Sequence, residues 1–255
     1  MRAFVASFAP ALVASLLMAG PANAQTFDAW STGDLRDPAP YASPQNAAVE
    51  FRIGPYVPKI DDEFAGAATP FEDAFGDKKR VHVAIEADWQ ALRIPYFGTL
   101  GPGFSIGYTK MNGFGLLADG TRASQKTSLT IIPTYAVAVL RADVLVRQTP
   151  VPLVPYVKLG VGYAMWFVND GNDTAEAEDG TRGKSPSTGF QSALGIMLHL
   201  DPFDKSADME MENTLGVNAS YLFLEWYNSQ LNGFGTGSDM NVGTSTWVTG
   251  LAWEM

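Results

Sequence analysis

The chain contains two histidines, His82 and His199, the side chains best suited to act as a general base near neutral pH. His82 shares one face of a predicted strand with Glu86 and Asp88, and His199 is two residues from Asp201. General base catalysis needs a histidine hydrogen-bonded to the group that it activates. No serine lies in a context typical of a nucleophile, so the sequence predicts no catalytic residue.

Composition excludes several other kinds of chemistry. The 255 residues contain no cysteine, which excludes disulfides, thiol catalysis and cysteine-ligated metals. A formal charge of -10 argues against nucleic acid, whose phosphates attract a basic surface. The segment Gly101-Pro102-Gly103 is interpreted as a turn rather than a phosphate-binding loop, because no helical pattern follows it. The sequence therefore predicts no cofactor and no metal.

The elements that would carry these residues are strands. Eight segments alternate apolar and polar residues with the period of two that a β-strand imposes, and they span 49–53, 80–92, 104–109, 129–140, 156–167, 191–200, 217–223 and 246–255. Strands of roughly 9–11 residues suffice to cross a bilayer at a tilt, and the candidates are expected to reach that length once their ends are included. The pattern predicts an all-β fold, an up-and-down antiparallel transmembrane β-barrel of eight strands. Ten strands remain an alternative if 141–153 or 201–213 also crosses.

In this fold the apolar face of each strand contacts lipid and the other face lines the interior. Val81, Ile85 and Trp89 are thus predicted to face outward. The same reasoning turns an apolar face of the 217–223 segment outward, with Val217, Ala219, Tyr221 and Phe223 opposite Asn218 and Ser220. In 129–140 both faces are apolar.

Seven polar side chains fall on the predicted interior, which an eight-stranded barrel fills with its own side chains. An unpaired buried charge is costly, so these groups must pair. They form either a polar pore or a plug of ion pairs, and the narrow barrel favours the plug. The set is Glu50, Arg52, His82, Glu86, Asp88, Lys158 and Gln191.

The connections alternate between two kinds. Four polar segments, 58–80, 112–127, 169–187 and 228–243, are predicted to be outer loops, and 91–99, 141–153 and 201–213 to be turns at the other end, the last with a helical turn over Lys205–Met211. Residues 1–24 are predicted to be a cleaved signal peptide ending at Ala22-Asn23-Ala24. Residues 25–46 form an extended periplasmic segment, and 47–255 the barrel.

Several stretches together resemble a family of outer-membrane β-barrel proteins known mainly from myxobacteria and their relatives. The likeness covers Ser43 to Met255 and implies a fold and a membrane, with no catalytic residue; small OmpA or OmpW barrels share the architecture by analogy. The stretches are Ser43–Asn46, Val49–Tyr56, Pro152–Gly160, Gly216–Asn218, Tyr221–Glu225 and Trp247–Met255.

These observations predict a bacterial outer-membrane protein with a structural or loop-mediated binding role, or one that passes small hydrophobic solutes. The alternatives are an outer-membrane lipid-modifying enzyme, such as a lipid A hydrolase or acyltransferase using His82 or His199, and a soluble exported lipocalin-like binder. The strand Trp247–Met255, with Trp247, Leu251 and Trp253 on one face, favours the membrane.

The expected partners follow from that location. They are outer-membrane lipid and lipopolysaccharide, and the barrel-insertion machinery, which would read the C-terminal strand; a monomer is expected. The cluster Lys78-Lys79-Arg80 would meet lipopolysaccharide phosphates or neutralise acids of its own loop. Two acidic stretches, Asp61–Glu63 and Asp170–Asp179, would bind Ca²⁺, bridge lipopolysaccharide through divalent cations or simply be solvated. Solvation is favoured, because the ligand spacing of an EF-hand is missing.

Overall fold

The computed structural model describes residues 46–116, 122–149, 151–171, 173–175, 180, 182–201 and 217–255. Their regular elements are β1 (Ala47–Tyr56), a 3-10 helix (Asp61–Phe64), α1 (Pro70–Phe75), β2 (Arg80–Trp89), β3 (Leu92–Ile94), β4 (Gly98–Leu116), β5 (Arg122–Arg141), α2 (Val144–Gln148), β6 (Leu153–Asp170), β7 (Asp173–Thr174), β8 (Lys184–His199), β9 (Ala219–Leu231) and β10 (Ser245–Glu254). None of the described helices is long and apolar enough to cross a membrane.

Eight strands form a closed antiparallel barrel, each paired with the next strand around the ring. The ring closes where β1 pairs with β10, with Ala48 opposite Glu254 and Ile53 opposite Thr249. The two short strands only extend hairpins, since β3 pairs with β4 and β7 with β6. The prediction of an eight-stranded up-and-down barrel is confirmed.

The two ends of the barrel differ. The links from β1 to β2, β4 to β5, β6 to β8 and β9 to β10 leave at one end, which we call the upper end. The ends of β2, β5 and β8, the start of β1 and the end of β10 mark the lower end. The described residues between β5 and β6 add no further strand and contain α2. The predicted signal peptide, the periplasmic segment up to residue 45 and the predicted helical turn at 205–211 lie outside the described residues.

Burial confirms which face of most strands points outward. On β2, Val81 is 66% exposed whereas His82 is 4% exposed, and the alternation continues to Trp89. The same holds for β1, β4, β6, β8 and β10, whose apolar outward residues form a continuous band. An alternation of this kind gives a lipid-facing surface and a separate interior from one strand.

The prediction for β9 was wrong. Tyr221 and Phe223 are buried inside, and Leu222, Leu224 and Trp226 face outward. Both faces of β9 carry large apolar side chains, so alternation alone did not show which of them contacts lipid. On β5, where both faces are apolar, the interior side is the one that bears the residues Leu129, Ile131, Tyr135, Val137 and Val139.

Candidate functional site

A network of ion pairs crosses the middle of the barrel interior. Lys158 on β6 places Nζ 2.6 Å from Glu50 Oε2 on β1, and it also bonds to Glu86 on β2. The guanidinium of Arg52 donates to Glu86 and to Glu225 on β9. Lys158 and the three carboxylates are fully buried. Because each charge has a partner of opposite sign, the network avoids the large cost of an unpaired buried ion.

Below this network, Arg141 at the end of β5 bonds to carboxylates on β1, β2 and β10. Its Nη2 lies 3.0 Å from Glu50 Oε1 and 2.6 Å from Asp88 Oδ2, and its Nη1 lies 3.2 Å from Glu254 Oε1. The Tyr221 hydroxyl donates to Glu254 Oε2 at 3.1 Å. Ion pairs and hydrogen bonds therefore connect the strands across the interior from its middle to its lower end.

Three of these carboxylates could in principle hold a metal. Glu50, Glu86 and Asp88 offer oxygen atoms that all lie within 4.8 Å of one another. The Lys158 ammonium bonds to the first two, and the Arg141 guanidinium to the third. Because the protein's own cations neutralise these oxygens, the arrangement is best described as an ion-pair plug.

A histidine and several tyrosines form the next layer up. The His82 ring centroid is 5.3 Å from that of Tyr56 and 6.4 Å from that of Tyr227, and Tyr135 meets Tyr227 edge-on at 6.1 Å. No described residue bonds to His82 Nδ1 or to the Gln191 amide. His82 is thus buried among aromatic rings with no described carboxylate hydrogen-bonded to orient it as a base.

His199 occupies a different position, at the lower end of β8. Its Nε2 lies 2.6 Å from Asp201 Oδ2, and its ring stacks on Tyr221 at 5.1 Å. The other oxygen of Asp201 accepts a hydrogen bond from the Ser220 amide at 3.0 Å. This pair joins β8 to β9. Among the described residues no hydroxyl bonds to either histidine, so neither forms a base–nucleophile pair.

The upper part of the interior is apolar. Side chains from β4, β5, β9 and the segment 232–244 meet there, and α1 lays Phe71 over them, with the Phe71 and Phe75 rings stacked at 5.3 Å. This packing closes the upper end of the described interior. The buried residues of this apolar cap are Phe71, Met111, Leu129, Ile131, Leu231 and Val242.

Side-chain bonds hold the two described upper segments together. The Asp61 carboxylate accepts from the amides of Phe71 at 2.7 Å and Glu72 at 3.0 Å, at the start of α1. The Glu63 carboxylate accepts from the Asn241 amide. Segments 57–79 and 232–244 therefore form one connected surface above the cap.

The segment 232–244 is also attached to β8. Asp239 Oδ2 accepts from the Thr188 amide and hydroxyl, each at 3.0 Å, and the Ser187 hydroxyl donates to the Met240 carbonyl at 2.7 Å. These bonds fix the segment against the barrel wall.

The basic cluster predicted from the sequence is only partly free. Arg80 donates to the carbonyls of Lys78 at 2.8 Å and Phe75 at 2.9 Å. Lys78 and Lys79 are exposed and form no ion pair with any described acid. Of the acidic stretch that follows β6, Asp170 is exposed, and the side chains of Asp173, Glu176, Glu178 and Asp179 lie outside the described residues.

The seven predicted interior side chains are all buried, which confirms that set. Sequence analysis missed three members of the network: Arg141, Glu225 and Glu254. Arg141 lies in a predicted turn, and Glu225 lies beyond the predicted strand 217–223, whose interior face was wrongly assigned. The sequence contains a signal for the correct face of β9. Glu225 alternates onto the same face as Tyr221 and Phe223, and a charge marks the interior face of a lipid-contacting strand.

Comparison with known proteins gives likenesses at the level of the fold. No protein-family model and no curated protein matches the chain. Among solved structures, the outer membrane protein OprG of Pseudomonas aeruginosa is 11% identical over 83% of this chain and 96% of its own, with a TM-score of 0.47. Ail, the attachment invasion locus protein of Yersinia pestis, solved with the heparin analogue sucrose octasulfate, is 12% identical over 83% and 97%, with a TM-score of 0.41. Neisserial surface protein A is 13% identical over 82% and 96%, also at 0.41. The assignment of the barrel rests on the strand pairing of this chain itself.

Proposed function

We propose that this protein is an integral barrel of a bacterial outer membrane with a structural or loop-mediated binding role. The observation that carries the proposal is the inverted distribution of residues, with charges inside the barrel and apolar side chains outside. A soluble barrel of the lipocalin type encloses its ligand with the apolar face and presents the polar face to water.

The outward band has the composition that lipid requires. Leu194, Ile85 and Leu159 are 65%, 55% and 60% exposed in the middle of their strands. Tryptophan and tyrosine lie towards the ends of the band, including Trp89 and Tyr163. An apolar band about 25 Å tall with aromatic residues at both edges is the pattern of transmembrane barrels.

The filled interior supports a structural or binding role over passage of a solute. A solute would have to pass the apolar cap and then the ion pairs of Arg52, Lys158 and Arg141, which involve several strands at once. Each of those ion pairs would be costly to open.

The upper end supplies the surface for loop-mediated binding. We propose lipopolysaccharide phosphate as one partner there, because Lys78 and Lys79 are exposed without an acidic partner among the described residues. We also propose that the barrel-insertion machinery recognises β10 and that the protein is a monomer. The proposal includes membership of the outer-membrane family known mainly from myxobacteria. The motifs from Val49 to Tyr56 and from Trp247 to Met255 support it.

The experiment is electrophoresis in SDS of an outer-membrane fraction, with unheated and boiled samples side by side. A closed barrel satisfies its backbone hydrogen bonds internally and resists SDS until it is heated. We expect a faster band in the unheated sample. A single unshifted band found in the soluble fraction would contradict the proposal and favour the lipocalin-like alternative.

A further inference from the structure

The outer surface of the barrel has a recess of about 360 Å³ over β8, between β6 and β9. We call it the lateral recess. Its side chains are those of Leu159, Phe190, Ser192, Asn228 and Gln230, and the backbone of Gly160 and Gln191 completes it. Small-molecule sites begin at roughly 300 Å³, so the lateral recess is large enough for part of one lipid.

Polar side chains line one side of the lateral recess. Asn228 lies opposite Ser192 on β8 and opposite Ser245 on β10, so three polar outward residues stand side by side across three strands. Gln230 follows Asn228 on the same face. Hydrogen bonds within the described part of the chain use none of these four side chains. Their donors and acceptors point away from the barrel and are available to a ligand.

The surroundings of this polar group are apolar. Ser192 is paired with Leu159 on its other side, and Leu194, which follows on the same face of β8, is 65% exposed. Below Asn228 lies Trp226, whose ring meets that of Trp247 at 5.2 Å. A neutral amide or hydroxyl that faces lipid without a hydrogen-bond partner is costly. Polar groups that face lipid are therefore expected to have a partner, and no described protein group provides one.

The upper wall of the lateral recess is held in place. Phe190 meets Phe234 of the segment 232–244 edge-on, with ring centroids 4.8 Å apart. That segment is attached to β8 through Asp239 and Thr188. The wall is thus fixed by contacts that do not depend on a ligand.

We propose that the lateral recess binds one lipid of the surrounding outer leaflet through an amide or hydroxyl group at the linkage of its acyl chain. The described residues that line the recess include no charged side chain, so its polar groups suit a neutral linkage rather than a phosphate. Asn228 both donates and accepts, which matches an amide, and Ser192 matches a hydroxyl. The chain itself would run down over Leu194. This inference rests on the membrane location proposed above.

The test uses two lipids that share a head group and differ at the linkage. Sphingomyelin has an amide and a hydroxyl there, and phosphatidylcholine of the same chain length has esters. The purified full-length protein is inserted into vesicles of both lipids in equal amounts and then extracted gently. Native mass spectrometry counts the lipids that remain bound. We expect about tenfold more bound sphingomyelin than phosphatidylcholine.

The variant is the double substitution Ser192→Val and Asn228→Leu, which removes the polar groups and keeps an outward apolar face suited to folding in lipid. We expect the preference to fall to about equal binding. Thr249→Val is the matched control, because Thr249 also faces outward but lies outside the recess and donates to the Phe223 carbonyl at 2.6 Å. It should keep the preference.

Equal binding of the two lipids by the unmodified protein would overturn the inference, and so would an unchanged preference in the double variant. A dimer of the unmodified protein that the double variant cannot form would overturn it too, and would assign the polar group to contact between two copies. Failure to insert, seen as a missing heat-shifted band, would overturn the proposed function as well. Insertion without lipid preference would overturn this inference alone.

Discussion

Lys158 and Glu50 form an ion pair across the full width of the barrel, with Nζ 2.6 Å from Oε2. Their strands, β6 and β1, are on opposite sides of the ring. The pair therefore joins walls that backbone hydrogen bonds do not connect. Strand pairing closes the barrel around its circumference, and the interior charges connect it along its diameter.

Replacing Lys158 with methionine should strongly destabilise the barrel. The change leaves Glu50 and Glu86 without their shared cation, and breaking a buried ion pair costs about 3–5 kcal/mol. Denaturant unfolding in detergent micelles, followed by tryptophan fluorescence, measures the loss. Lys79→Met is the control, since Lys79 is exposed and should change stability by less than about 0.5 kcal/mol. Equal stability of the two variants would show that the interior ion pair contributes little.

Gly195→Ala should also destabilise the barrel, for a steric reason. A Cβ at position 195 would lie 2.6 Å from Tyr156 Cζ and 2.7 Å from Glu225 Cβ. The ring would have to move away from Glu225, to which its hydroxyl donates at 2.8 Å. Overpacking of this kind costs about 1–3 kcal/mol. Gly115→Ala is the control, because the atom nearest to the added Cβ would be Thr127 Oγ1, at the ordinary contact distance of 3.5 Å. If both alanines are tolerated equally in the same unfolding assay, the interior is less tightly packed than described.

Asp61→Ala should loosen the upper surface while leaving the barrel closed. The carboxylate caps two free amides at the start of α1, and removing such a cap costs about 1 kcal/mol. Amide hydrogen exchange should become faster at Phe71 and Glu72, whose amides donate to Asp61. Asp62→Ala is the matched control, because the Asp62 side chain forms no described hydrogen bond. Exchange that accelerates equally in both variants would argue against capping.

Leu194→Arg distinguishes a barrel in lipid from one in water. Leu194 lies on the outward band, and a basic residue facing the middle of a bilayer costs a transmembrane barrel about 2–4 kcal/mol. In a soluble barrel the same exposed position would accept arginine within about 0.5 kcal/mol. Folding into vesicles, measured as the fraction of heat-shifted protein, gives the result. Phe64→Arg, on the exposed 3-10 helix, should have no comparable effect.

The strands and their order followed from the sequence because alternation is a local property. A run such as Val81 to Trp89 shows its two faces without reference to any other strand. The two strands with an unresolved or wrong face, β5 and β9, are those with apolar residues on both sides. There the interior side was determined by partners on distant strands, such as Arg52 for Glu225.

The interior network was predicted in part for the same reason. Charges in the middle of a clear strand, such as Glu86 and Lys158, could be placed from alternation. Arg141 could not, because it is the last residue of β5, and strand ends are poorly defined by pattern. The lateral recess left no local signal at all, since Ser192 and Asn228 come together only through the pairing of β8 with β9.

The pairing of β1 with β10, which we call the seam, affects the rates of folding and unfolding. The other pairings of the ring join strands that are consecutive in the ring and in the chain, so each can form early as a local hairpin. The seam brings together the two most distant strands, and contacts of such long sequence separation form slowly. If the closed barrel opens by movement of β1, the β1–β10 pairing and the bonds of Glu50 to the cations of β5 and β6 break in the same event. The rate at which this pairing opens therefore limits the rate of unfolding, and a correctly closed barrel should unfold very slowly.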